Sequence, residues 1–194
     1  MDKNKALASV NEIKEMMEKS SKFTSISGFT AILAGVYALA GALAVKQIPG
    51  IRLSAERMII VALAVLAASA VTGGLLSYAK SKKTRQKLFS RLTYRALWSF
   101  SLPMLVGGVL CASALWHGYY GVISSVMLLL YGLALVNFSR FTYSGIVWLG
   151  YAFVGLGVLD GFWDGHGLLF WTIGFGGFHI LYGILFYLQY ERKA

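Results

Sequence analysis

His179 is the residue of this chain whose type and position most need explaining. It lies within an apolar, glycine-rich run, Leu168 to Tyr190, eleven positions from either end. If that run is a helix spanning a bilayer, a rise of ~1.5 Å per residue puts the imidazole near the midplane. A polar ring at that depth is costly and calls for a buried partner or a function. Tyr37 and Tyr151 fall at comparable depth in two other apolar runs, and Tyr182 follows His179 by three positions. His179, Tyr182, Tyr37 and Tyr151 are therefore the candidate ligand-binding group. The plainer reading is that the ring fastens two helices through a tyrosine hydroxyl or a backbone carbonyl. A proton relay would want carboxylates at depth, and no Asp or Glu lies deep in any apolar run.

A second group gathers at the turns on one side: His117, Asp160, Asp164 and His166. Two carboxylates and two imidazoles could hold an external divalent metal if the runs that carry them end side by side. The spacing follows no ligand motif, and Asp164-Gly165-His166-Gly167 also reads as a polar, glycine-rich turn. A third group is the basic stretch with Lys80, Lys82, Lys83, Arg85, Lys87, Arg91 and Arg95. It holds seven of the eighteen Lys and Arg residues and no acid, so contact with anionic lipid head groups is expected there. Sequence signatures of catalysis are absent: there is no His-Glu-x-x-His, no Gly-x-Ser-x-Gly and no phosphate-binding glycine loop. A non-enzymatic protein is expected, and no cofactor.

These groups need elements to position them, and composition says what kind. At 57% hydrophobic and 13% charged, the chain has too little polar surface to coat a water-soluble globule of 194 residues. Six apolar runs, about 27–45, 58–79, 96–116, 119–138, 142–163 and 168–190, predict six transmembrane helices in one all-α domain, 27–194. Residues 4–22, in a leading segment 1–26, read as an amphipathic interfacial helix. Leu7, Val10, Ile13 and Met17 share a face, and charged residues four apart occupy the other. A cytoplasmic protein partner is the alternative occupant of that face. The very short connections at His117-Gly118 and Asn137–Arg140 make spans three to five antiparallel neighbours. Pro103 predicts a kink in the third span.

Placing the connections alternately on two sides puts fifteen Lys and Arg residues on one side and three on the other. The positive-inside rule then sets both termini in the cytoplasm, as expected of a multi-pass protein of the bacterial inner membrane. Trp116, Tyr119, Tyr120, Trp163 and Trp171 fall near the outer interface. The +10 formal charge lies at the ends of apolar runs without any nucleic-acid motif, so nucleic acid is not expected as a partner. Twenty-two glycines let helix backbones approach closely, and faces not used inside the bundle would serve a homodimer. The single Cys111 permits no internal disulfide.

Three stretches carry a resemblance: Leu110–Gly121, Tyr131–Asn137 and Gly167–Ile184, together with the leading segment Glu15–Gly28. They resemble a family of small six-span bacterial membrane proteins frequent in Bacteroidota. The glycine-punctuated helix pairs have a looser likeness to the HdeD-type acid-resistance membrane proteins, without their helix-boundary prolines. The resemblance implies the six-span fold and assigns no residue a role. The functional expectation is a module that binds a lipid or other apolar ligand between its helices, or supports a partner. The alternative is a small-solute transporter or channel, for which Ser99, Ser101, Ser113, Ser124 and Ser125 offer only scattered polar positions.

Overall fold

The computed structural model describes residues 27–47, 55–84, 90–163 and 165–192. Within them the chain is all helical: α1 Gly28–Gln47, α2 Ala55–Thr84, α3 Arg91–Trp116, α4 Ile123–Ser139, α5 Ile146–Phe162 and α6 Gly167–Glu191. A single 3₁₀ turn, Tyr120–Val122, leads into α4. Five of the six helices are long and apolar enough to cross a membrane; α5, at 17 residues, is the shorter one. The amphipathic helix expected at 4–22 lies outside the described residues, as does the Ile48-Pro49-Gly50 turn.

Two boundaries differ from expectation for definite reasons. The runs 58–79 and 96–116 leave Lys80 to Arg95 as a connection, yet α2 continues to Thr84 and α3 starts at Arg91. Lysines tolerate this because their stems lie along the helix while the ammonium finds a partner. Lys82 Nζ sits 4.9 Å from the Tyr78 ring centre, and Lys80 Nζ lies 2.8 Å from Glu191 Oε1. At the start of α3, Ser90 Oγ accepts from the Thr93 N–H at 3.1 Å, a regular N-cap. The fifth span was expected from 142, but Thr142-Tyr143-Ser144-Gly145 forms a turn instead. Thr142 Oγ1 donates back to the Phe138 carbonyl, the side-chain-to-backbone bond that competes with starting a helix. Pro103 is accommodated inside α3, which runs unbroken to Trp116.

The helices are zipped in pairs by glycine. A Cβ on Gly132 of α4 would lie 2.8 Å from the Gly150 carbonyl oxygen of α5, and one on Gly150 would lie 2.9 Å from that of Gly132. The same reciprocity joins α1 to α6: a Cβ at Gly28 or at Gly183 would come within 2.6 Å of the other's carbonyl oxygen. Two turns further along, a Cβ on Gly35 of α1 would lie 2.7 Å from the Gly176 carbonyl oxygen, while one on Gly176 would meet the Leu39 side chain first. Such approach is open only to residues without side chains. α6 lies between α1 and the α4–α5 pair, α3 flanks α4, and α2 packs on α1.

Polarity is distributed inside out. Val109, Trp148 and Phe162 are 70%, 73% and 85% exposed, while Ser125, Thr142, Asp160 and His179 are buried. α2 is the extreme case, with no buried residue between Met58 and Lys80. Two ends of the bundle are distinct. Lys80, Arg91, Arg95, Arg140 and Arg192 mark a basic end. Trp116, Tyr119, Tyr120 and Trp163 mark a tryptophan end.

Candidate functional site

The four residues expected to share a polar point do not converge. His179 is buried, and its Nε2 lies 2.7 Å from the hydroxyl of Tyr131 on α4, not from Tyr37 or Tyr151. Tyr151 is 54% exposed and stands against Trp148 on the outer face of α5. Tyr37 is half-buried on α1. Tyr182 buries its hydroxyl without a hydrogen bond, near the start of α5 where a Cβ on Gly145 would meet it at 4.0 Å.

Why His179 meets Tyr131 follows from the local winding of α6. Thr172–Phe178 is π-helical, and a π turn displaces the register of the carbonyls beside it. The Gly174 and Phe175 carbonyls lie alongside the imidazole, although Nδ1 reaches neither with regular hydrogen-bond geometry. Phe153, Phe175 and Tyr131 close around the ring, with centroids 5.3, 6.1 and 5.4 Å from it. This is a sealed aromatic core with one internal hydrogen bond, a fastening of α4 to α6. Tyr131 lies nine positions into the 17-residue α4, so its depth was legible from the sequence.

An open space lies elsewhere, at the tryptophan end. A cavity of about 530 Å³ separates the α1–α2 pair from the start of α4, with the start of α6 as its floor. Its walls are apolar: Ala42 and Val45 of α1, Met58 and Val61 of α2, Met127 of α4 and Leu168 of α6. Its hydroxyl and imidazole groups, from Tyr120, Ser124 and His166, come from the starts of α4 and α6. Trp171 closes the bottom. The sequence placed this tryptophan in an interfacial belt, but it is 8% exposed, packed on Ala38 and Ala42, and its Nε1 makes no hydrogen bond. A belt residue and a plug look alike in sequence, since both stand within the first turns of a span.

Behind the polar side sits Asp160, 4% exposed near the end of α5. Ser124 of α4 lies beside its carboxyl group, and Oδ2 has no hydrogen bond. The neighbouring Ser125 donates to the Gly157 carbonyl at 2.9 Å, a side-chain bond from α4 to α5.

The expected metal group does not assemble among the described residues. His117 bonds its own helix, Nδ1 to the Ser113 carbonyl at 2.9 Å, and stacks on Tyr119. Asp160 turns to Ser124, and Asp164 lies outside the described residues. No three His, Cys, Asp or Glu side chains among those described stand close enough to share an ion. Of the basic stretch, Arg91 and Arg95 are exposed and four apart on α3, whereas Lys80 is engaged by Glu191. The side chains of Lys83, Arg85 and Lys87 lie outside the described residues. No protein-family model, curated protein or solved structure matches the chain.

Proposed function

We propose that the protein is a multi-pass inner-membrane module that binds a lipid or similarly apolar molecule in the cavity at its tryptophan end, without catalysing a reaction. The observation that carries this reading is the cavity itself: about 530 Å³, walled by Val45, Val61, Met127 and Leu168, with a few hydroxyl and imidazole groups from the starts of α4 and α6. Ligand sites in proteins run from ~300 to ~1,000 Å³ with mostly apolar walls and a few convergent polar groups. An amphiphile matches that division: chain against the walls, polar end toward Ser124. The apolar outer faces of α2 and α3 suit a hydrocarbon solvent. With the basic end in the cytoplasm, both termini are cytoplasmic and the cavity opens in the outer half of the bilayer.

The ligand role thus moves from the His179 point, which is sealed, to the cavity. The test is native mass spectrometry of the protein released from mild detergent, beside a Met127→Trp variant that fills the cavity from one wall. A stoichiometric adduct on the wild type that disappears in the variant, with thermal melting unchanged, is the expected result. A bare wild-type protein, or an adduct that Met127→Trp leaves in place, overturns the proposal.

A further inference from the structure

The cavity is short for its volume. Its walls are 42–45 of α1, 58–62 of α2, 120–127 leading into α4 and 165–171 leading into α6. At ~1.5 Å per residue, the longest of these gives a depth of about 10 Å. A bilayer core is ~30 Å thick, so a straight acyl chain takes about 15 Å of its own leaflet and overruns the floor at Trp171. Spread over the depth of its longest wall, about 530 Å³ makes a space roughly 7 Å across, broader than one hydrocarbon chain. Short and broad is the form of a ring.

We infer that the occupant is an isoprenoid quinone, with its ring and the first part of its tail in the cavity, a carbonyl toward Ser124, and the rest of the tail in the hydrocarbon outside; this rests on the cavity being a lipid site. The lining favours an electron-poor ring. Met58 of α2 and Met127 of α4 bring thioethers from facing walls, and thioether sulfur packs favourably on rings. Trp171 and Tyr120 add two electron-rich aromatic surfaces. Ser124, Tyr120 and His166 each carry an O–H or N–H able to donate to a carbonyl oxygen. Among the described residues, none that lines the cavity is Lys, Arg, Asp or Glu, so a phosphate would find no cation there. A quinone combines a flat ring with uncharged acceptor oxygens. A prenyl alcohol has the tail without the ring, and a phospholipid brings a charge and two chains.

The experiment is competitive retention on the full-length protein in mild detergent. A menaquinone with a farnesyl tail, farnesol and dioleoylphosphatidylethanolamine are offered at equal concentration, and native mass spectrometry identifies what stays bound. The expected result is the quinone retained about fivefold or more over either competitor, the scale of one or two sulfur–ring contacts. Met127→Trp should remove the quinone adduct, and Ser124→Ala should lower quinone retention while leaving that of farnesol unchanged. Equal retention of quinone and farnesol, or preference for the phospholipid, overturns the ring inference and leaves the cavity reading standing. A quinone preference that Ser124→Ala does not lower overturns the inference as well. A quinone adduct that survives Met127→Trp lies outside the cavity and overturns it too. Absence of any adduct removes both readings.

Discussion

Tyr131 on α4 and His179 on α6 are joined by a 2.7 Å hydrogen bond inside a closed ring of aromatic side chains. The pair is a structural rivet, and its removal should be felt in stability. Tyr131→Phe strips the hydroxyl and keeps the ring packing, so the expected loss is about 1 kcal/mol, the scale of one interhelical hydrogen bond. His179→Ala also removes contacts with Phe153 and Phe175 and should cost more. Melting in mild detergent measures both, and the double variant gives the coupling. A His179→Ala protein with wild-type melting and lost lipid would return the ligand role to the core.

Glycine contacts make a sharper contrast. Gly132→Ala and Gly150→Ala each put a methyl group against a backbone carbonyl across the α4–α5 seam, so each should destabilise by ~1–3 kcal/mol. Gly155→Ala on α5 and Gly177→Ala on α6 meet open space, and both should melt like the wild type or slightly above it. If all four behave alike, the seam is not where the helices meet.

At the basic end, Glu191 ties three elements together. Its Oε1 lies 2.8 Å from Lys80 Nζ of α2, and its Oε2 accepts from Ser27 Oγ, just ahead of α1, at 3.3 Å. Glu191→Gln removes the charge and keeps the shape. Because both side chains are partly solvated, the expected loss is up to about 1 kcal/mol and shrinks as salt is raised. Loss that is independent of salt would mean that the hydrogen bonds, and not the charge, matter.

Trp171 plugs the cavity floor against Ala38 and Ala42. Trp171→Ala should therefore destabilise the fold by ~3–5 kcal/mol and join its vacated space to the cavity. The same variant should retain larger adducts than the wild type when natural lipid extracts are offered. Trp171→Phe should keep most of the stability. Native mass spectrometry and melting on the same samples separate the two effects.

The six apolar runs of the sequence reappear as the six helices because length and composition decide them, and these are properties of single segments. The site was harder to read because it depends on how helices pair. His179 was visible as an anomaly, but its partner depended on which helix faces α6, and the π turn at Thr172–Phe178 changes that facing in a way no periodicity announces. Ser124 stood among several serines of no distinct pattern. It matters because the start of α4 lines the cavity together with α1, α2 and the start of α6. Trp171 was misplaced for the same reason: only the packing of α1 against α6 shows that its ring faces inward.

The seam between α1 and α6 has a bearing on biosynthesis. Gly35 and Gly176, which face each other across it, are separated by 141 residues of chain (176 minus 35), so α1 finds its mate only when α6 emerges. At ~5–20 residues per second, that is a delay of roughly 7–28 s during which the glycine face of α1 stays unmatched. α2, which packs on α1, waits with it, while α3, α4 and α5 can already associate through their short connections. Maturation therefore closes like a clasp, and a ribosome stalled just before α6 would leave an N-terminal hairpin and a three-helix unit unjoined.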